Sequence, residues 1–146
     1  MDNRTKLLVL FWLLTICAPT LASELPDTAK TCDLPDNFLI KTDGELSEIN
    51  RRFLGVHTGK WGGSLPSTLI VDSIDEDGEA SGYYSWGTNE TVREPGCTPF
   101  EGIIEGKKLK FETGSAKLRF KLKDGFIGAA YIRNGNKSVA RFNKWN

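Results

Sequence analysis

KKLKFETGSAKLRFKLKDGFIGAAYIRNG, Lys107–Gly135, is written in period two. Leu109 and Phe111 alternate with Lys108 and Lys110, and Leu118, Phe120 and Leu122 alternate with Lys117, Arg119, Lys121 and Lys123. Successive side chains of a strand leave opposite faces, so this alternation predicts strands with one apolar face and one basic face. Glu112-Thr113-Gly114-Ser115, Lys123-Asp124-Gly125 and Arg133-Asn134-Gly135-Asn136 interrupt it with residues suited to the positive φ of tight hairpins. An antiparallel meander follows.

The pattern extends in both directions. Eight strands are predicted: Val56–Gly63, Ser67–Asp75, Glu79–Gly87, Pro99–Gly106, Lys107–Thr113, Ala116–Asp124, Phe126–Asn134 and Lys137–Trp145. Most links are short, which makes sequential strands antiparallel neighbours. Thr88–Thr98 is the longer link and carries Cys97. Eight short strands leave two raw edges unless the sheet closes, so the expected fold is an all-β, eight-stranded antiparallel up-and-down barrel. Such a barrel is just wide enough to be filled by side chains or to hold one small ligand. A β-sandwich is the alternative, and the short sequential hairpins favour the barrel.

Upstream, Thr42–Gly55 is the one helical candidate. Thr42 or Asp43 could cap it, Leu46, Ile49 and Phe53 share a face, and Gly55 could stop it. It is short enough to need packing, and covering one end of the barrel would supply that. Ser23–Ile40 has no period and is expected to be an extended lead-in. Residues 42–146 would then form the barrel domain with its capping helix.

The first 22 residues carry the marks of a signal peptide. Arg4 and Lys6 precede the apolar run Leu7–Cys17, and Thr20-Leu21-Ala22 offers a cleavage site. The run is well short of the roughly 20 residues that span a bilayer, so stable membrane insertion is not expected. A secreted or periplasmic location follows. Cleavage would remove Cys17 and leave Cys32 and Cys97, which in an oxidising compartment most simply pair. The whole chain has no formal net charge, so nothing global points to nucleic acid. Asn89-Glu90-Thr91 and Asn136-Lys137-Ser138 fit the N-glycosylation pattern, at Asn89 and Asn136, both in predicted loops.

Gly59-Lys60-Trp61, then Ser64–Val71, then the turn Asp77-Gly78 into Gly82-Tyr83-Tyr84 resemble the opening strands of the avidin family. A G-x-W first strand after a short helix is also similar to the wider calycin group, which includes lipocalins. The resemblance covers Thr58–Tyr84 and implies a ligand-binding barrel, with Ser67 and Tyr84 where avidins hold the ureido oxygen of biotin. Gly63 stands at that family's polar ligand-binding Asn, and no tryptophan lies between Trp86 and Trp145. What the resemblance implies is therefore the fold. Gly59–Pro66 followed by Trp86-Gly87 also resembles a pattern of small exported or appended bacterial domains, which implies no activity.

No catalytic motif emerges. His57 is the sole histidine; a pairing with Ser64 or Ser67 lacks nucleophile-elbow spacing, and a structural histidine is the plainer account. One histidine and two paired cysteines do not make a zinc site. Asp75-Glu76-Asp77-Gly78 lacks the Glu of a calcium loop: with Ser73 as its first position, the twelfth is Tyr84, and the stretch reads as a solvated turn. Gly55–Lys60 is one residue short of a P-loop.

Aromatics are the stronger lead. Trp61, Tyr84 and Trp86 share the predicted inner parity, with Phe111, Phe120, Phe126 and Phe142 further on. They either fill the barrel or line a pocket whose Trp and Tyr polar tips orient a ligand. The expected site is the open end around Trp61, Ser64, Ser67, Tyr84 and Trp86, built by the hairpins Gly59–Trp86, with Lys107–Gly135 as an apolar wall. The expected function is non-covalent binding of a small, partly apolar molecule, with no cofactor, metal or enzymatic step. The alternative is an exported protease-inhibitor-like or protein-interaction module with Ser23–Ile40 as an inserting trunk. The basic face of Lys108, Lys110, Lys117, Arg119, Lys121 and Lys123 either solvates the barrel or docks something anionic. Oligomeric state is left open.

Overall fold

A computed structural model describes residues 24–41 and 45–146, so the signal-peptide reading and the Thr42 or Asp43 cap lie outside the described residues. Eight strands form a closed barrel in sequence order: β1 (Gly55–Trp61), β2 (Leu65–Ile74), β3 (Glu79–Trp86), β4 (Gly96–Glu105), β5 (Lys108–Thr113), β6 (Ala116–Leu122), β7 (Ile127–Arg133) and β8 (Asn136–Lys144). Every neighbouring pair is antiparallel. Each predicted strand is present, with shifts at its ends. β4 begins earlier than expected, so Cys97 lies in a strand rather than in the preceding loop. Asn136 is the first residue of β8 and exposed, not in a loop.

The organising hairpins pair as their alternation requires. Leu109 faces Phe120 and Phe111 faces Leu118 across β5 and β6, all buried on the inside. The β7–β8 turn is tight because Asn134 and Gly135 both take positive φ, 50° and 75°, the twist that matches two flanking strands. Closure occurs where Gly59 pairs with Phe142. A Cβ at Gly59 would lie 2.7 Å from the Phe142 ring, so the glycine of G-x-W lets that ring lie against the β1 backbone.

One end of the barrel is filled. Phe111 stacks between Phe100, at 4.1 Å, and Phe120, at 5.6 Å, and Phe120 meets Phe142 edge-on. Leu69, Val71, Leu109, Leu118, Leu122 and Ile127 complete the packing. Phe126 departs from the expected inner set: it sits in the β6–β7 turn, half-buried, beneath the Arg141 guanidinium at 3.8 Å. The outer faces of β5 and β6 are charged, the reverse of a barrel that presents an apolar band to lipid.

The helix α1 is only Glu48–Phe53, and Ser47 caps it by accepting from the Asn50 backbone amide at 3.1 Å. The predicted start was too early because Leu46 extends the apolar spacing without being helical; it packs on the core from the approach to the helix. Phe53 is fully buried, so α1 plugs the filled end.

The lead-in is not simply extended. Asp27–Thr31 form a 3₁₀ turn that packs outside β2, β3 and β4. The Thr28 and Thr68 hydroxyls hydrogen-bond, Thr31 Oγ1 donates to the Gly96 carbonyl at 3.1 Å, Lys41 N donates to the Asp72 carbonyl, and Trp145 Nε1 donates to the Glu24 carbonyl. Cys32 and Cys97 form a disulfide, the pairing expected from the sequence. This strap buries Thr68, Ile70 and Ser85 on the outer face of the sheet. A free trunk reaching into a partner would have to leave this seat.

His57, beneath α1, is 1% exposed, and its Nε2 donates to the Phe53 carbonyl at 2.6 Å. Burial holds its pKa down to about 4, with the Phe53 bond opposing and Lys144 reinforcing. The neutral form is therefore favoured in the fold. The stability this gives is complete above the ordinary pKa of 6.5 and is lost as pH falls towards 4. The shift corresponds to about 3 kcal/mol. Urea unfolding of the wild type should lose that amount more than His57→Gln between pH 7 and pH 4. Parallel pH curves for the two proteins would contradict it.

Candidate ligand cavity at the barrel mouth

At the end opposite α1, the barrel opens. The ends of β1, β3, β5 and β7 and the starts of β2, β4, β6 and β8 surround a cavity of about 770 Å³. β4 and β5 share a ladder only from Ile103–Glu105 to Lys108–Lys110. Closer to the mouth they part, and Thr98 and Thr113 both border the cavity.

The floor is Trp61 over Tyr84. Both point inward by strand parity, both are about 5% exposed, and Trp61 Nε1 donates to the Tyr84 hydroxyl at 2.8 Å. Trp61 is wedged edge-on among Phe120, Tyr131 and Phe142, and Tyr84 meets Trp86 at 5.9 Å. Burial pushes the Tyr84 phenol up to about 12, against the opposing pull of Ser67 and Trp61. It therefore stays a neutral hydroxyl that accepts from Trp61 and keeps its own proton to donate. The Ser67 hydroxyl, 1% exposed, lies against the phenol without closing a well-formed hydrogen bond to it. An inward-facing buried hydroxyl without a partner is uncommon and costs free energy until something satisfies it.

Above the floor, Leu65, Trp86, Val92 and Tyr131 give apolar walls, and Ser64, Thr98, Ser138 and their neighbours give hydroxyls. The β3–β4 loop forms a lip. Asn89 Oδ1 accepts from the Thr91 and Val92 amides, Asn89 Nδ2 donates to Ser64 Oγ at 3.1 Å, and Trp86 Nε1 donates to the Glu94 carbonyl. The nitrogen that a glycan would occupy on Asn89 is thus already engaged at the mouth. Among the described residues, Arg133 is the one charged residue of the lining.

Of the sequence-derived set, Trp61, Ser64, Tyr84 and Trp86 border this cavity, whereas Ser67 lies below it, behind Tyr84. The opening hairpins do not act alone: Tyr131, Arg133 and Ser138 come from β7 and β8. Tyr131 and Arg133 belong to the stretch read as a plain wall. The parity of β7, with Ile127 and Ala129 buried, was the signal that pointed Tyr131 inward. A second hollow of about 820 Å³ lies outside the barrel by Lys41, between Asp75, Glu79, Glu101 and Glu112. It is a carboxylate-lined surface groove in which Asp75 foremost raises the Glu79 pKa. Among the described residues, no three His, Cys, Asp or Glu cluster as a metal would need.

No protein-family model and no curated protein matches the chain. Among solved structures it is similar to a mutant of the fluorescent protein UnaG, at 12% identity and a TM-score of 0.43, over 66% of this chain and 98% of that one. The architecture stands on the strand pairing and not on this likeness.

Proposed function

We propose that the chain is a small-molecule-binding barrel that takes a partly apolar ligand non-covalently at its mouth. The observation that carries this is the cavity of about 770 Å³ floored by the Trp61–Tyr84 pair. That volume and mixture of aromatic walls with few polar groups suit a drug-sized molecule. Aromatic burial would supply the affinity. The Tyr84 proton, the rim hydroxyls and Arg133 would orient a polar end. The Cys32–Cys97 disulfide supports an oxidising compartment, in keeping with export.

Ser138 lines the mouth, is exposed, and shares the inner parity of Phe142. Ser138→Trp should obstruct the cavity with little change in stability. In a thermal-shift screen of small apolar acids and alcohols, the wild type should gain about 2.7 kcal/mol at a hundredfold excess of ligand over Kd. The variant should gain nothing from the same compound. Equal gains for both proteins would place the ligand elsewhere.

A further inference from the structure

The neutral net charge hides a segregation. Residues 107–146 contain 11 Lys and Arg against two Asp and Glu, and the rest of the chain has the opposite excess. Strand register concentrates this charge on one outer surface. Lys121 pairs with Gly128 and Gly128 with Arg141; Arg119 pairs with Ala130; Lys117 pairs with Ile132 and Ile132 with Lys137. Cations of β6 and β8 therefore stand on either side of a β7 outer face made of Gly128, Ala130 and Ile132, with the exposed Val139 between Lys137 and Arg141 on the β8 side.

Two strand spacings separate the walls, about 10 Å, and Lys117 to Lys121 runs about 13 Å along the strand. The small floor residues Gly128 and Ala130 leave a shallow trough between long side chains. The stem of Lys123 leans over its end, 3.5 Å from where a Cβ of Gly128 would lie. Among the described residues, Lys110 is bound to Glu105 at 3.1 Å, but Lys117, Arg119, Lys121, Lys137 and Arg141 make no ion pair. Exposed cations this dense repel one another, and that cost is relieved by an anionic occupant.

We propose that the outer face of β6–β8 is a docking trough for a linear sulfated polysaccharide. A chain fits the shape better than a plane. The cations fan around a convex barrel, so a membrane would meet one strip of them and leave the recessed floor untouched. Single-stranded nucleic acid would need exposed aromatic platforms for its bases. Phe126 is covered by Arg141, and the part-exposed indole of Trp145 is tied to the Glu24 carbonyl beyond the end of β8. Sulfate groups along a polysaccharide require only cations at intervals along a groove.

The full chain should bind heparin in a salt-dependent manner. Lys117→Glu/Arg119→Glu/Lys121→Glu should weaken binding roughly tenfold or more and lower the slope of log K against log salt by about three. A control with the same change in net charge, Lys30→Glu/Lys41→Glu/Arg93→Glu, alters exposed cations of the lead-in and the β3–β4 loop, outside the trough. It should shift binding by about twofold at most, because distant charges are screened. No binding to heparin, equal losses in both triple variants, or tighter binding to a single-stranded DNA oligonucleotide or to phosphatidylserine vesicles would overturn the proposal.

Discussion

Trp61→Ala should cost the fold about 4 kcal/mol in urea unfolding, among the largest effects of any single substitution here. Trp61 is 5% exposed and meets Phe120, Tyr131 and Phe142 edge-on at 5.6 to 6.3 Å. Its removal deletes a large buried surface and three aromatic pairings, and leaves a hole that rigid strands close poorly. It also frees the Tyr84 hydroxyl, which loses the donor at 2.8 Å. Trp61→Phe keeps most of the packing and loses the N–H, so it should cost about 1–2 kcal/mol. The two variants separate packing from hydrogen bonding. A cost below about 1 kcal/mol for the alanine would mean that Trp61 is not the floor of the mouth.

Cys32→Ser/Cys97→Ser should cost a similar amount, about 4 kcal/mol, for a different reason. The bridge spans 65 residues, and closing so long a loop removes much of the freedom of the unfolded chain. It also pins the strap. The Thr28–Thr68 and Thr31–Gly96 hydrogen bonds then form within an already closed loop. Without the bridge, the strap should open locally before the barrel does. Hydrogen exchange would reveal this as faster exchange at the Ala29 and Cys32 amides, which bond within the 3₁₀ turn, with the β5–β6 ladder unchanged. An unfolding midpoint that ignores a reductant would contradict the assignment.

The barrel was legible because each later strand carries its own instruction. In Lys117–Lys123 every second residue is basic, and a one-residue slip would turn Leu118, Phe120 and Leu122 to water. Turn residues such as Asn134-Gly135 then set the register. The strap was not legible as structure, since one 3₁₀ turn is too short to show a period. A trace of it was present: Leu69, Ile70 and Val71 are consecutive apolar residues and all are fully buried, the pattern of a strand covered on both faces. Phe126 misled because a turn residue has no strand parity to obey.

The site was partly legible for the same reason. Trp61, Tyr84 and Trp86 follow from parity in β1 and β3. Tyr131, Arg133 and Ser138 reach the mouth only because β8 closes on β1, a pairing between residues more than 80 positions apart. The idle hydroxyl of Ser67 depends on three-dimensional hydrogen-bond geometry that no spacing encodes.

Occupancy of the mouth by a small molecule can be read directly. Native mass spectrometry of the wild type and Ser138→Trp, each exposed to the same small-molecule extract, tests it most directly. One non-covalent adduct is expected on the wild type, lost on denaturation and absent from the variant. No adduct on either protein, or the same adduct on both, would contradict it.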